Sequence, residues 1–388
     1  MPNASDGGVL LVGPRLDPAH TVTGSRVGFE HAISAFRKKG LKHEIVNTVK
    51  GGVARAGSFS VTRAIHTLGL IASFLRKLRG CRTVYLTIGS SLMGFIRDAS
   101  LIWPSRLMGR RIVLRLYGGG YGMFYSEQPA ILRKLIRRTL AQATVIMVEG
   151  KLLREQLDFV PEIDTKIRVV PNGLPDDLLP GTSGPKLLPD GAPFRLLYLA
   201  NMIESKGYLD LLAACRILRE KYSLPIRCDF CGAFIKTAVD GADLSGEEAG
   251  RRFHDLVDRW GLSDVVEFHG VVGGELKTRL HVESHAFVLP TRYPWEGQPI
   301  VIIEALAFGT PVIATPYRGI PEEVIDGYNG AFVDPGAPEQ IADRVAGLAR
   351  DPDGYRQLSA NALAHFARNF TQEVHFDQVV AAVCGEDG

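Results

Sequence analysis

The chain has 388 residues, 46% of them hydrophobic and 22% charged, with a formal charge of +3. That length predicts two domains with full cores, and that balance is an ordinary globular one, which excludes a disordered or fibrous protein. No apolar run approaches the ~18–20 residues of a membrane span, and the polar residues 1–8 predict no signal peptide.

Strand and helix alternate along both halves, as a parallel sheet covered by helices requires. Residues 9–13 read as the first strand. Ser25 is placed to cap a helix whose apolar positions include Val27, Ala32, Ile33 and Phe36, stopped by Gly40. Strands follow at 43–46, 83–87, 111–116, 144–148 and 167–170. Residues 175–193, rich in Pro and Gly, form the natural linker. The second half restarts with a strand at 195–199 and a helix at 208–221. Strands at 226–230, 265–268, 286–288, 311–314 and 330–333 complete a second sheet. Residues 361–380 are helical in pattern.

Charge divides unevenly. Residues 1–190 hold 27 Lys and Arg against 14 Asp and Glu, and the remainder holds 18 against 28. Within the basic half, residues 130–140 read as an amphipathic helix: Leu132, Leu135, Ile136 and Leu140 form one stripe, and Arg133, Lys134, Arg137 and Arg138 the other face. Arg106, Arg110 and Arg111 add basic character nearby. This is either a solvated face over a core-packed stripe or a surface for anionic lipid headgroups. Nucleic acid is disfavoured, since no aromatics are interleaved with the basic residues.

Five cysteines are present, and Cys228-Asp-Phe-Cys231 has C-x-x-C spacing. No second pair completes a zinc site, and alternation across residues 226–232 reads as a buried strand, so structural thiols in a reducing cytoplasm are expected. Asp351-Pro-Asp353 reads as a turn rather than a metal-binding D-x-D. His20 and His269 sit at loop positions. No Walker A sequence is present, and residues 117–122 lack the strand–helix context of a dinucleotide fingerprint.

The most informative stretch is Trp295-Glu-Gly-Gln-Pro-Ile-Val-Ile-Ile-Glu-Ala-Leu-Ala-Phe-Gly-Thr-Pro-Val-Ile-Ala-Thr315. Pro299 suits the first helical position, predicting a helix from near Gly297 and Gln298 to Phe308 with Gly309 as its stop. Its first turn would present free N–H groups and a positive dipole end, suited to a diphosphate. Gly297 lets that backbone approach a ligand. Glu296 precedes the turn and Glu304 lies about 7 Å further along the axis, so one carboxylate faces each end of the ligand.

This E-x7-E pattern resembles the donor-site signature of the retaining glycosyltransferases of family 4. The resemblance runs along most of the chain: Ile167-Arg-Val-Val-Pro-Asn-Gly-Leu174, Leu196-Leu-Tyr-Leu-Ala-Asn-Met-Ile-Glu-Ser-Lys-Gly207, Val266-Glu-Phe-His-Gly270, His285-Ala-Phe-Val-Leu-Pro290 and Gly319-Ile-Pro-Glu-Glu-Val-Ile-Asp-Gly-Tyr-Asn-Gly330 stand in the family's order. It implies an α/β fold of GT-B type, two Rossmann-like domains facing each other across a cleft. Residues 1–188 would be the acceptor-side domain and 189–365 the sugar-nucleotide domain. Residues 366–388 would be a helical tail returning to the first.

The resemblance also implies roles. Lys206 neutralises the donor diphosphate, and Glu296 sits at the donor sugar beside the anomeric carbon. Glu304 holds the ribose hydroxyls, and the backbone at Gly297, Gln298, Pro299 and Ile300 surrounds the phosphate or sugar. Transfer retains anomeric configuration and needs no metal or other cofactor, the nucleotide-sugar (UDP or GDP) being a substrate. The route is either same-face attack or a Glu296 nucleophile. A lipid-linked or cell-surface glycan is the expected acceptor, with peripheral contact to the inner face of the cell membrane.

Three positions depart from the family pattern. Asn201 stands where an Arg is common, and the first strand–helix loop reads Thr23-Gly-Ser-Arg26, leaving Gly24 and Ser25 for the donor phosphate. Tyr117-Gly-Gly-Gly-Tyr-Gly122 stands where a His usually reaches the donor sugar; Tyr117 and Gly118 either approach the sugar there or belong to the core. The alternatives are an inactive glycosyltransferase-like binding protein and a GT-B sugar-nucleotide epimerase.

Overall fold

The computed structural model describes residues 8–16, 24–49, 61–179, 184–188, 191–235 and 245–385, with backbone only at 61–67. Contacts divide the chain into two units, Met1–Gly173 with Gln372–Gly388, and Leu174–Thr371. Among the described residues no helix is long and apolar enough to cross a membrane.

The first unit runs β1 (Gly8–Gly13), α1 (Gly24–Lys38), β2 (His43–Asn47), α2 (Val61–Leu78), β3 (Cys81–Ile88), α3 (Leu92–Leu107), β4 (Arg111–Leu116), α4 (Tyr121–Ser126), α5 (Ala130–Leu140), β5 (Val145–Val148), α6 (Ile163–Lys166) and β6 (Ile167–Val169). The strands form one parallel sheet in the order β2-β1-β3-β4-β5-β6. All six residues of β1 are buried, the unbroken apolar run expected of a central strand covered on both faces. One face packs beneath α2, α3, α4 and α5, around Leu86, Leu114 and Ile146. The other packs beneath α1, around Leu11, Tyr85 and Met147.

The second unit runs β7 (Phe194–Leu199), α7 (Tyr208–Glu220), β8 (Ile226–Cys231), α8 (Gly246–Arg259), β9 (Val266–Gly270), α9 (Gly274–Glu283), β10 (Ala286–Leu289), α10 (Ile300–Ala307), β11 (Val312–Ala314), β12 (Gly330–Phe332), α11 (Pro338–Arg350) and α12 (Pro352–Asn369). Its parallel sheet has the order β12-β11-β10-β7-β8-β9. The order reverses between β7 and β10, and open α/β sheets bind ligands at such a reversal, outside the C-terminal ends of the strands. α13 (Gln372–Cys384) then packs on α1 in the first unit, where Val379 and Val383 join the core and the His375 ring donates Nδ1–H to the Pro171 carbonyl at 2.6 Å.

Several expectations need correction. α1 begins at Gly24, so Ser25 lies in its first turn rather than capping it. α10 begins at Ile300, and Pro299, with ψ at 108°, is the extended residue before it rather than its first helical one. Residues 361–380 are not one helix: Phe370 is extended in φ (−129°), its carbonyl accepts the Leu174 N–H at 2.9 Å, and Thr371 bridges Leu174. That pairing also explains why the chain changes units at Leu174, ahead of the Pro- and Gly-rich stretch. On α5, Leu135 turns outward at 46% exposure while Ile136, Thr139 and Leu140 face the core. Thr139 points inward because its hydroxyl accepts the Trp103 indole N–H at 3.2 Å. His20, Thr23 and linker residues 180–183 and 189–190 lie outside the described residues.

Candidate active site

Lys206 and Glu296 arrive from the two strands that flank the reversal. After β7 the chain makes a short 3-10 turn at Glu204–Lys206, and Gly207 (φ +79°) swings it into α7. After β10 it passes Thr291 and Tyr293 to Glu296. The two loops are knitted together: the Arg292 N–H donates to the Ser205 carbonyl at 2.7 Å, and the Thr315 hydroxyl donates to the Thr291 carbonyl. The Lys206 ammonium consequently stands 3.1 Å from Glu296 Oε2, with the Tyr293 ring 5.1 Å from the nitrogen. Glu296 also accepts from the Thr291 hydroxyl at 3.3 Å. A cation and a carboxylate, both largely sheltered from water, thus share one spot at the strand ends, where their mutual attraction is stronger than on an open surface.

Glu304 lies on α10 and is buried. Its Oε1 accepts from Lys277 Nζ at 2.5 Å, and its Oε2 lies 3.6 Å from His281 Nε2, too far for a hydrogen bond. Lys277 and His281 stand one turn apart on α9, on one face. Burial pushes the Glu304 carboxyl up, but His281 and Lys277 outweigh it and hold the group below its ordinary value. Burial in turn lowers His281 below its ordinary value, against the raising effect of Glu304. His281 is wedged between Phe287 and Phe308, with ring centroids at 6.4 and 5.0 Å. These residues open onto a cavity of about 500 Å³ lined by Asp177, Lys277, His281, Glu304 and Phe308. Neither Lys277 nor His281 stands out in the sequence; their i, i+4 spacing is visible there, but only the sheet order brings α9 beside α10.

The turn between the carboxylates is fixed by the Gly319 N–H, which donates to the Gly297 carbonyl at 3.2 Å. Gln298 is buried within it, and Pro299 and Ile300 lead into α10. Asn201 follows β7 half-buried, its carbonyl accepting the Ile203 N–H at 2.8 Å. The second unit therefore gathers Asn201, Lys206, Glu296, Gly297, Gln298, Pro299, Ile300 and Glu304.

Gly24, Ser25, Tyr117 and Gly118 belong to the first unit. The Tyr117 ring occupies the space a Cβ on Gly28 would need, at 2.3 Å, and lies 4.7 Å from the buried Arg115 guanidinium. Its hydroxyl is 3.4 Å from that of Tyr85. Gly118 N–H donates to Glu149 Oε2 at 2.8 Å. The tyrosine thus serves as packing between α1 and the sheet.

Other candidates resolve as structural groups. Cys228 and Cys231 are both buried on β8 as free thiols, and burial together with Asp229 pushes Cys231 up to about 12. Asp351 caps α12 by accepting the Gly354 N–H at 2.9 Å. Asp229, Glu267 and His269 offer ligand atoms within 4.8 Å of one another. However, His269 Nε2 sits 2.8 Å from Asp229 Oδ1 and Arg195 pairs with the other oxygen at 3.2 Å, an ion-pair network rather than an open metal cradle.

Known proteins share this architecture. A glycosyltransferase from Rickettsia africae has a TM-score of 0.75 at 16% identity, covering 99% of this chain and all of that one. Anabaena HepE, solved in complex with UDP, has a TM-score of 0.71 at 15% identity, covering 97% and 100%. The two parallel sheets with their helices are therefore the GT-B fold. Residues 183–365, which lie largely within the second unit, match the family model of glycosyl transferases group 1. A putative colanic acid biosynthesis glycosyltransferase, WcaL of Salmonella typhimurium, is 30% identical over 189 residues, 47% of this chain and 43% of the relative. A D-inositol 3-phosphate glycosyltransferase of Streptomyces bingchenggensis is 30% identical over 199 residues, 51% and 38%. The matched region spans less than half the length of these relatives.

Proposed function

We propose that the protein is a retaining glycosyltransferase that moves a sugar from a UDP- or GDP-sugar to an acceptor hydroxyl. The observation that carries this is the meeting of Lys206 and Glu296, 3.1 Å apart at the topological reversal, with Glu304 on the helix that follows. Lys206 takes up the negative charge that gathers on the diphosphate as it leaves. Glu304, already ionised and with one oxygen facing His281 across 3.6 Å, accepts from the ribose hydroxyls. Glu296 stands at the donor sugar and stabilises positive charge at the anomeric carbon. The departing phosphate serves as base for the acceptor hydroxyl on the same face. Lys206 supplies the charge that a metal supplies in other transferases, so transfer proceeds without one. UDP bound in HepE and the colanic acid biosynthesis to which WcaL is assigned support a nucleotide-sugar donor and a glycan acceptor. We assign that acceptor to a lipid-linked or cell-surface glycan, reached by the cytoplasmic enzyme at the membrane surface.

A thermal-shift panel of UDP-, GDP-, ADP- and dTDP-sugars, with and without EDTA, tests the donor site, because a ligand bound only by the folded state raises the melting temperature. One nucleotide class should stabilise the protein, insensitively to EDTA, and the shift should vanish in Glu304→Ala. No shift with any of them overturns the reading. A shift without nucleotide release in the presence of acceptor glycans would instead make the chain a binding protein, the alternative that Asn201 and the packed Tyr117 favour.

A further inference from the structure

The outer face of α3 and α5 is apolar where it meets solvent. Met93, Ile96, Trp103 and Leu107 recur at helical spacing along the exposed side of α3, with Leu107 84% exposed. Ile131 and Leu135, one turn apart on α5, continue the patch, with Ile131 87% exposed. The two helices are fastened side by side by the Trp103–Thr139 hydrogen bond, so these side chains belong to one rigid surface. A contiguous aliphatic ridge of this kind marks an interaction surface.

Its charge is of one sign. Arg106 on α3 and Arg133, Lys134, Arg137 and Arg138 on α5 are all exposed beside the ridge. Among the described residues no carboxylate lies within ion-pair distance of any of them. The only acid of α3, Asp98, is buried and held by Arg97 and the Gly89 N–H, and α5 has no acid. The nearest acid in sequence is Glu127, in the turn before α5.

We infer that this face docks on an anionic lipid bilayer, with α3 and α5 lying in the plane of the interface. The aliphatic side chains enter the acyl boundary and Trp103 sits at headgroup depth. The arginines and Lys134 extend to lipid phosphates while their stems cover the ridge. Nucleic acid would match the charge but offers nothing to bury Leu107, Ile131 and Leu135. The inference deepens the membrane-surface part of the proposed function and assigns it to particular residues. It does not depend on the donor chemistry.

Vesicle co-sedimentation, run without sugar nucleotide, tests it. The full chain should sediment with phosphatidylcholine–phosphatidylglycerol vesicles, weakly with pure phosphatidylcholine, and less as salt rises. Arg133→Ala/Arg137→Ala should weaken binding roughly fivefold per residue removed. Leu107→Ser/Ile131→Ser should abolish it with an unchanged melting temperature, since both side chains already face water. Failure to bind anionic vesicles, or binding unchanged in both variants, overturns the inference. So does a wild-type dimer that Leu107→Ser/Ile131→Ser converts to a monomer, which would make the face an interface between copies of the chain. Loss of nucleotide binding in Glu304→Ala with vesicle binding intact separates the two proposals.

Discussion

Lys277 holds Glu304 at 2.5 Å, on the carboxylate that the proposed function gives to the ribose. Together with His281 the ammonium offsets burial and holds the carboxyl below its ordinary value, and it lines the same cavity as Glu304. Removing one partner of such a pair leaves an uncompensated charge, whereas removing both is far cheaper. Lys277→Met should therefore destabilise the protein by about 2 kcal/mol, and Glu304→Gln/Lys277→Met should recover most of that loss. Urea denaturation of the two single variants and the double variant gives the coupling. Additive losses would mean that the pair contributes nothing beyond its separate contacts.

Glu296→Gln keeps the size of the side chain and one acceptor oxygen but removes the charge beside Lys206. If the carboxylate acts on the anomeric carbon, the variant should retain the nucleotide-induced thermal shift and lose turnover by a factor on the order of a hundred or more. Unchanged turnover would reduce Glu296 to a partner that merely orients Lys206.

Much of this site was legible in the sequence because its parts are contiguous. The segment from Glu296 to Glu304 fits in one loop and one helix, and Lys206 follows directly from β7. Alternation of strand and helix also locates the twelve strands found among the described residues to within about two residues at their ends. What the sequence hid depends on how elements pack. Leu135 reads as core by periodicity, yet α5 buries Ile136, Leu140 and the Trp103-bonded Thr139 and leaves Leu135 outside. Lys277 and His281 read as ordinary helix residues until α9 is laid beside α10. Pro299 satisfies the rule for a first helical residue, and only its ψ shows that the helix begins one residue later.

Lys186 carries a second hidden feature. Its ammonium donates to the His281 and Ser284 carbonyls at 2.5 and 2.6 Å and to the Thr310 hydroxyl at 2.7 Å, tying the segment before β7 to the end of α9. None of these acceptors is charged, and burial pulls the group down from 10.5 to about 7. The unfolded chain therefore binds more protons than the folded one between these two values, so stability rises with pH across that window. The melting temperature should climb from pH 7 to pH 9, and Lys186→Met should flatten that rise. An equal slope in both proteins would show that Lys186 is solvated and titrates normally.

Gly207 follows Lys206 directly, at φ +79°, and a Cβ there would lie 2.5 Å from the Pro290 carbonyl oxygen. Two separate costs are involved, left-handed strain and collision with backbone. Gly336 has a similar φ of +71° with nothing within 4 Å of its would-be Cβ, so it carries the first cost alone. Gly336→Ala should lose about 1 kcal/mol. Gly207→Ala should lose about 2–4 kcal/mol, because Pro290 belongs to the strand-end loop and cannot yield without moving Thr291 and Glu296. If Gly207→Ala folds, the displaced Lys206 should weaken nucleotide binding, while Gly336→Ala binds normally. Equal stability losses in the two variants, read by chemical denaturation, would mean that the Pro290 contact relaxes freely and that the Lys206 loop is not held by it.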